Sequence, residues 1–400
     1  MKLKKLKKQL ITKKILTIWK LIIPYWISKD WIYAWGLTIS LIFFLILTVH
    51  ASILLNKWNA IFYDSLQTKN TNLFYKQIWQ FCWLLIYLLI TFVSACFCSS
   101  FLSLRWRIWL TNKFIDIWIK KQIYYKISLY KSTDIDNPDQ RISIDINNLA
   151  FKGINLGKIL FQAIIQFISF SIILWELSKS LKIKFFFFEE YYIPGYMMWI
   201  AIIYSIVSTT IVKKIGKPLI YMDYLQEKFE ANFRNNLIKI RENSNEIALG
   251  QKEQKEIEII KLFIKQININ YQNIIIRTIY INSYQNIFMN TSAIIPLLII
   301  SPQFFDNTIT LGVMMQIANA FGSVERAISV IMNNYQIIAS CTATIDRLIQ
   351  FKKSIKIIEE KATKINKTMS LNINIINLQL YICRCLSAIT LYFYLIKPIE

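Results

Sequence analysis

The chain has 400 residues, of which 55% are hydrophobic and 15% aromatic, with a mean hydropathy of +0.38. That composition excludes an ordinary soluble domain and points to a polytopic membrane protein. The formal net charge is +23, but it is spread through a sequence rich in Ile, Lys and Asn. This argues for loops beside anionic lipid and against a nucleic-acid binder.

Residues 1–14 carry seven lysines. Residues 15–27 are too short and interrupted to span, and they read as an amphipathic elbow with Trp19, Tyr25 and Trp26 at headgroup level. Lys20, Pro24, Lys29 and Asp30 break the first apolar stretch, so no cleavable signal is expected. Runs of roughly 20 apolar residues match the hydrocarbon thickness. They predict spans at 31–55, 77–102, 157–177, 192–212, 281–301 and 309–333. His50, the one histidine, falls in the first span. It reads as a helix–helix hydrogen bond, with a pathway residue as the alternative. The six cysteines show no CxxC or Cys/His spacing, so neither a metal site nor a disulfide framework is expected.

Between spans 2 and 3 the chain stays helix-periodic but becomes charged, through Arg105, Arg107, Lys113, Lys120 and Lys121. It then reaches a polar knot at 134–146, DIDNPDQRISIDI. Asn137-Pro138 breaks the incoming helix, because proline disfavours α geometry in the residue before it. Asp139, Gln140, Arg141 and Asp145 follow on one short helix, either a docking tip or a plain turn between helices. Residues 178–190 read as an external loop, 213–280 as a second long polar helical excursion, and 334–365 as a helical exit with Asp346, Arg347, Lys352 and Lys353. Nine Lys or Arg lie in 103–152 and twelve in 213–280, against three, three and none in the opposite loops. The positive-inside rule then predicts both termini in the cytoplasm.

Six spans, an N-terminal elbow and two long helical hairpins on one side resemble the transmembrane domain of an exporter-type (type 1) ABC transporter. WNAIFYDSLQ at 58–67, RWRIWLT at 105–111, DNPDQRISIDI at 136–146, IPGYMMW at 193–199, FRNNLIKIRENSNEIALGQKEQKE at 233–256 and LGVMMQIANAFGSVERAIS at 311–329 make the resemblance specific. They look like the subfamily of SbmA/BacA-type peptide transporters, and most closely its members with a fused ATPase.

The resemblance implies an all-α membrane protein with a basic N-terminus and elbow at 1–30 and a six-helix domain at 31–365. A short β-like segment at 371–400 resembles the start of the nucleotide-binding domain. It implies a first coupling helix with Asp139, Gln140, Arg141 and Asp145, and a second with Arg241, Glu242 and Glu246. Tyr381 falls where the adenine-stacking aromatic of the family would lie. ATP is the family cofactor, yet no GxxxxGK[ST] phosphate loop occurs in these 400 residues. The ATPase is therefore expected in trans, and whether this chain has enzymatic activity stays open. The resemblance further implies a multi-pass protein of the bacterial inner membrane. Its expected partners are lipid and a second copy or a paralogous half-transporter, and its cargo is peptide-like or amphipathic. Two alternatives stand: proton-driven uptake using Glu176, Glu227, Glu230 or Glu325, and a truncated remnant without transport.

Overall fold

The computed structural model describes residues 22–360 apart from 121, 130–137, 180–182, 186–187, 192 and 339. The segment at 371–400, with Tyr381, and most of the N-terminal elbow, with Trp19, lie outside the described residues. The long helices are α1 (Trp31–Gln67), α2 (Thr71–Lys120), α4 (Pro138–Ser178), α5 (Tyr196–Glu242), α7 (Glu253–Phe305) and α8 (Leu311–Asn333). Short α3 (Ile123–Leu129) and α6 (Ser244–Leu249) sit between them, and α9 covers 340–360. Five of these helices, α1, α2, α4, α5 and α7, are long and apolar enough to cross a membrane. The sixth expected span coincides with α8, which carries Glu325 and Arg326 and falls outside those five. The expected loop at 178–190 contains an antiparallel hairpin, β1 (Ile183–Phe185) with β2 (Phe188–Tyr191).

The chain divides into two compact units. The first takes residues 1–40, 97–156 and 336–400. Its core is built from stripes at helical spacing: Leu102, Trp106, Leu110 and Phe114 on α2, Ile142, Ile146 and Leu149 on α4, and Leu348, Phe351, Ile355 and Ile358 on α9. Steps of three and four put each set on one face, so each helix can bury a stripe while its charged residues stay wet. Phe114 stacks on Phe351 at 6.0 Å, and the Trp106 ring lies against α4 beside Gly153.

The elbow residue Tyr25 is held by the protein itself. It is 0% exposed, packed against Trp109 at 5.6 Å and Trp26 at 5.2 Å, while Trp26 donates to Thr38 Oγ1 at 3.1 Å. The tryptophans of RWRIWLT on α2 supply these rings with protein partners, Trp109 for Tyr25 and Trp106 for Trp26.

The second unit takes residues 41–96 and 157–335. Its core joins Phe170 and Leu174 of α4, Met197 and Ala201 of α5, Ile300 of α7, and Ile317, Phe321 and Val324 of α8. Gly195 precedes α5 with φ +66, and a Cβ there would overlap the Trp175 ring. Only glycine meets both demands without strain, which accounts for IPGYMMW. At the α1–α2 turn Lys69 is left-handed, and Asn70 caps α2 by accepting from the Leu73 N–H at 3.2 Å. Trp58 of α1 stacks between Phe62 and Phe81 and donates to the Gln77 carbonyl at 2.9 Å. His50 approaches Tyr87 Oη at 3.4 Å, the interhelical contact expected of it.

Candidate functional site

The polar knot opens α4. Pro138 starts the helix, and Asp139 and Gln140 at its tip are exposed. The next five residues, Arg141–Asp145, form a π turn in which the Ile146 N–H bonds the Arg141 carbonyl. Single π turns are rare and concentrate at functional sites. The turn carries α4 straight into its buried stripe, so Asp145 arrives beside Ile142, Ile146 and Leu149, with its side chain 2% exposed.

A carboxylate at that depth is tolerated only when it is paired and hydrogen-bonded. Arg347 of α9, 202 residues further along, meets it in a fork: Nη2 donates to Oδ1 at 2.7 Å and Nε to Oδ2 at 3.0 Å. Arg141 Nη1 donates to Oδ2 at 2.9 Å. Burial pushes the Asp145 carboxyl up, but the bonds from Arg347 and Arg141 outweigh it and hold it below the ordinary carboxylate range. Asp145 lies twelve residues before the apolar stretch of α4 begins, so this chemistry sits outside the spanning segment. The two-pronged geometry fixes orientation as well as distance.

The four knot residues therefore separate into two pairs. Asp139 and Gln140 face outward. Arg141 and Asp145 turn inward and, with Arg347, tie α4 to α9. The sequence reading groups all four as docking residues and gives Arg347 no role. No local pattern reveals a partner 202 positions away.

The second tip is α6, six residues between the polar ends of α5 and α7. Arg241 and Glu242 at the end of α5 and Glu246 on α6 are all exposed, and so is Leu249, at 89%. Asn270 steadies the hairpin behind the tip, since its Nδ2 donates to the Met222 carbonyl at 3.0 Å and to Gln226 Oε1 at 2.9 Å. Among the carboxylates weighed for proton coupling, Glu176, Glu227 and Glu230 are exposed, whereas Glu325 is 5% exposed and accepts from Ser329 Oγ at 2.9 Å. Among the described residues no group of three or more His, Cys, Asp or Glu could hold a metal.

ATP does not fit the described residues. Their only strands form the β1–β2 hairpin, and no glycine-rich loop there joins a strand to a helix N-terminus.

Long helices, apolar over part of their length and polar where they run on to short tips, define a multi-pass helical membrane domain. Residues 18–305 match the family described as ABC transporter transmembrane region 2, and the chain belongs to that family. Among similar proteins, the inner membrane ABC transporter ATP-binding protein YddA of Escherichia coli is 29% identical over 329 residues, covering 82% of this chain and 58% of that protein. The chloroplastic ABC transporter D family member 2 of Arabidopsis thaliana is 31% identical over 340 residues, 84% of this chain and 46% of the relative. A shorter match, 26% over 153 residues, reaches the mouse lysosomal cobalamin transporter ABCD4, covering 38% of this chain and 22% of that protein. The chain spans about half the length of the first two relatives.

Proposed function

We propose that this chain is the membrane-spanning permease half of an ABC transporter, driven by an ATPase domain that the 400 residues do not contain. The observation that carries the reading is the exposed Asp139–Gln140 tip on a helix whose base is clamped through Asp145. A motor can grip such a tip without deforming it. On this reading α8 is the sixth span, both termini are cytoplasmic, and two copies or a paralogous pair complete the pathway. The α6 tip, with Arg241, Glu242 and Glu246, forms the second docking point. The family motifs favour the SbmA/BacA-like subfamily with fused ATPases, a bacterial inner membrane and a peptide-like or amphipathic cargo.

The mechanism divides the work between residues. Asp139 and Gln140 make the outward contacts. Arg141, Asp145 and Arg347 keep the tip rigid, so that a push on it moves α4 and α9 together. Arg141 is for that reason a poor probe of docking, since reversing its charge sets a second carboxylate against buried Asp145. The test uses Asp139→Lys and Gln140→Ala, in the chain reconstituted with a complete ATPase domain of the same family. Stimulation of ATP turnover by the membrane chain should fall about tenfold in Asp139→Lys, the scale of one lost charged contact, with thermal stability unchanged. Equal stimulation by the parent and both variants refutes the docking role.

A second reading has one observation in its favour. Glu325 is a buried carboxylate on α8 of the kind proton-coupled carriers use. Proton-driven uptake that survives without any ATPase, and is lost in Glu325→Gln, would select it.

A further inference from the structure

The ends of α1 and α8 that the charge distribution assigns to the outside meet in a polar seam. At the start of α8, Gln67 Oε1 accepts from the Leu311 N–H at 2.9 Å and Asp64 Oδ1 accepts from the Gly312 N–H at 2.8 Å. Gly312 is buried, and a Cβ there would overlap the Ala60 carbonyl and the Asp64 carboxylate, so glycine brings the two helices into backbone contact. One turn deeper, Asn56 Nδ2 donates to the Gln316 carbonyl at 3.3 Å. Motifs at opposite ends of the chain, WNAIFYDSLQ and LGVMMQ, thus form one joint.

The helix does not need this joint to exist. Thr310 caps α8 from its own chain, with Oγ1 accepting from the Val313 N–H at 3.3 Å and its carbonyl accepting from the Met314 N–H at 3.1 Å. What Asp64 and Gln67 add is attachment between helices. Asp64 is half-buried and Gln67 exposed, so water can take over both N–H groups when the helices part, at small net cost. The joints of α8 with α4, α5 and α7 are of another kind, largely apolar around Leu174, Met197, Ile300, Ile317 and Phe321.

We propose that the α1–α8 seam is a releasable latch on the outer end of the helix bundle, with Asp64 and Gln67 as its catches. In the closed state both side chains cap α8. On release they exchange its N–H groups for water, while Thr310 keeps the helix intact and Gly312 slides off Ala60. The inference rests on the permease reading, which makes that end the mouth of the pathway.

The test uses the full chain in lipid nanodiscs, with its six cysteines replaced and spin labels placed through Leu66→Cys on α1 and Asn319→Cys on α8, both exposed. Pulsed dipolar spectroscopy on chain diluted with unlabelled protein should give one narrow distance. Asp64→Ala and Gln67→Ala should each add a longer population, shifting the closed-to-open ratio about fivefold per bond removed. Asp64→Asn keeps an oxygen for the Gly312 N–H and should retain the parental distribution. Gln67 is a surface side chain, so its variant carries the test even where Asp64→Ala does not fold. Distributions that superimpose on the parent in the folded alanine variants overturn the latch, as does Asp64→Asn opening as far as Asp64→Ala. The readout involves neither ATPase nor cargo, so its outcome is independent of the docking test.

Discussion

Arg347→Met keeps the length and apolar stem of the side chain while deleting two of the three hydrogen bonds to Asp145. Breaking a fully buried ion pair from one side costs about 3–5 kcal/mol, and removing one hydrogen bond to a charged group about 1.5–3 kcal/mol. The Arg347 side chain is 38% exposed, and Arg141 still holds Asp145 Oδ2 at 2.9 Å. The expected cost is therefore near the low end, about 2 kcal/mol. Asp145→Leu removes the acceptor shared by both guanidinium groups and should cost a similar amount. The double variant removes the charge conflict, so the cycle should show a coupling of about 2 kcal/mol. Denaturant titration of the purified chain in mild detergent, followed by tryptophan fluorescence, measures all four corners. The sign with pH follows from the depressed carboxyl: Asp145 contributes fully above the unfolded value of about 3.9, and the contribution is lost as pH falls through the lower folded value. A coupling below about 0.5 kcal/mol would show that the three groups are neighbours and not a clamp.

Gly195→Ala should destabilise the chain by about 2–4 kcal/mol, because the left-handed backbone and the Trp175 ring both reject a Cβ; a midpoint equal to the parent's contradicts the packing described. Lys113, on the polar part of α2 beyond its apolar stretch, is pushed down first by burial and then by Lys352 on α9. Lys352→Glu should replace that repulsion with a pair and raise stability by about 0.5 kcal/mol, an effect that shrinks in high salt; a decrease in low salt would contradict it. For topology, Ser244→Cys should label with an impermeant maleimide only in inverted vesicles and Asn307→Cys only in intact cells, and reversal of that pattern rejects the cytoplasmic placement of the α6 tip.

What could be read from the sequence was what repeats locally. The spans at 31–55 and 77–102 stand out because they are strongly apolar and contain no Asp, Glu, Lys or Arg, and they lie inside α1 and α2. His50 was legible as an interhelical contact, since a lone polar ring in a span has few other uses. Asp145 was visible as a residue of interest but not as a buried one. Its partner is Arg347, and only folding brings α9 to α4. Tyr25 was visible as an elbow aromatic but not as a buried residue, because its ring partner Trp109 is remote in the chain. The hairpin was missed because its strands are only three and four residues long, too short for alternation to show.

The 202-residue separation of Asp145 from Arg347 also orders events at the ribosome. At about 5–20 residues per second, synthesis takes roughly 10–40 s to deliver the second residue after the first. Throughout that interval the aspartate has Arg141 within reach and no fork to close on, so it must wait hydrated. The first unit draws on residues before 41, around 97–156 and beyond 335, and can consolidate only when α9 emerges. A nascent chain halted before Arg347 would therefore hold an unfinished core around an aspartate, a state that quality-control proteases can recognise by its exposed Trp106 and Leu149.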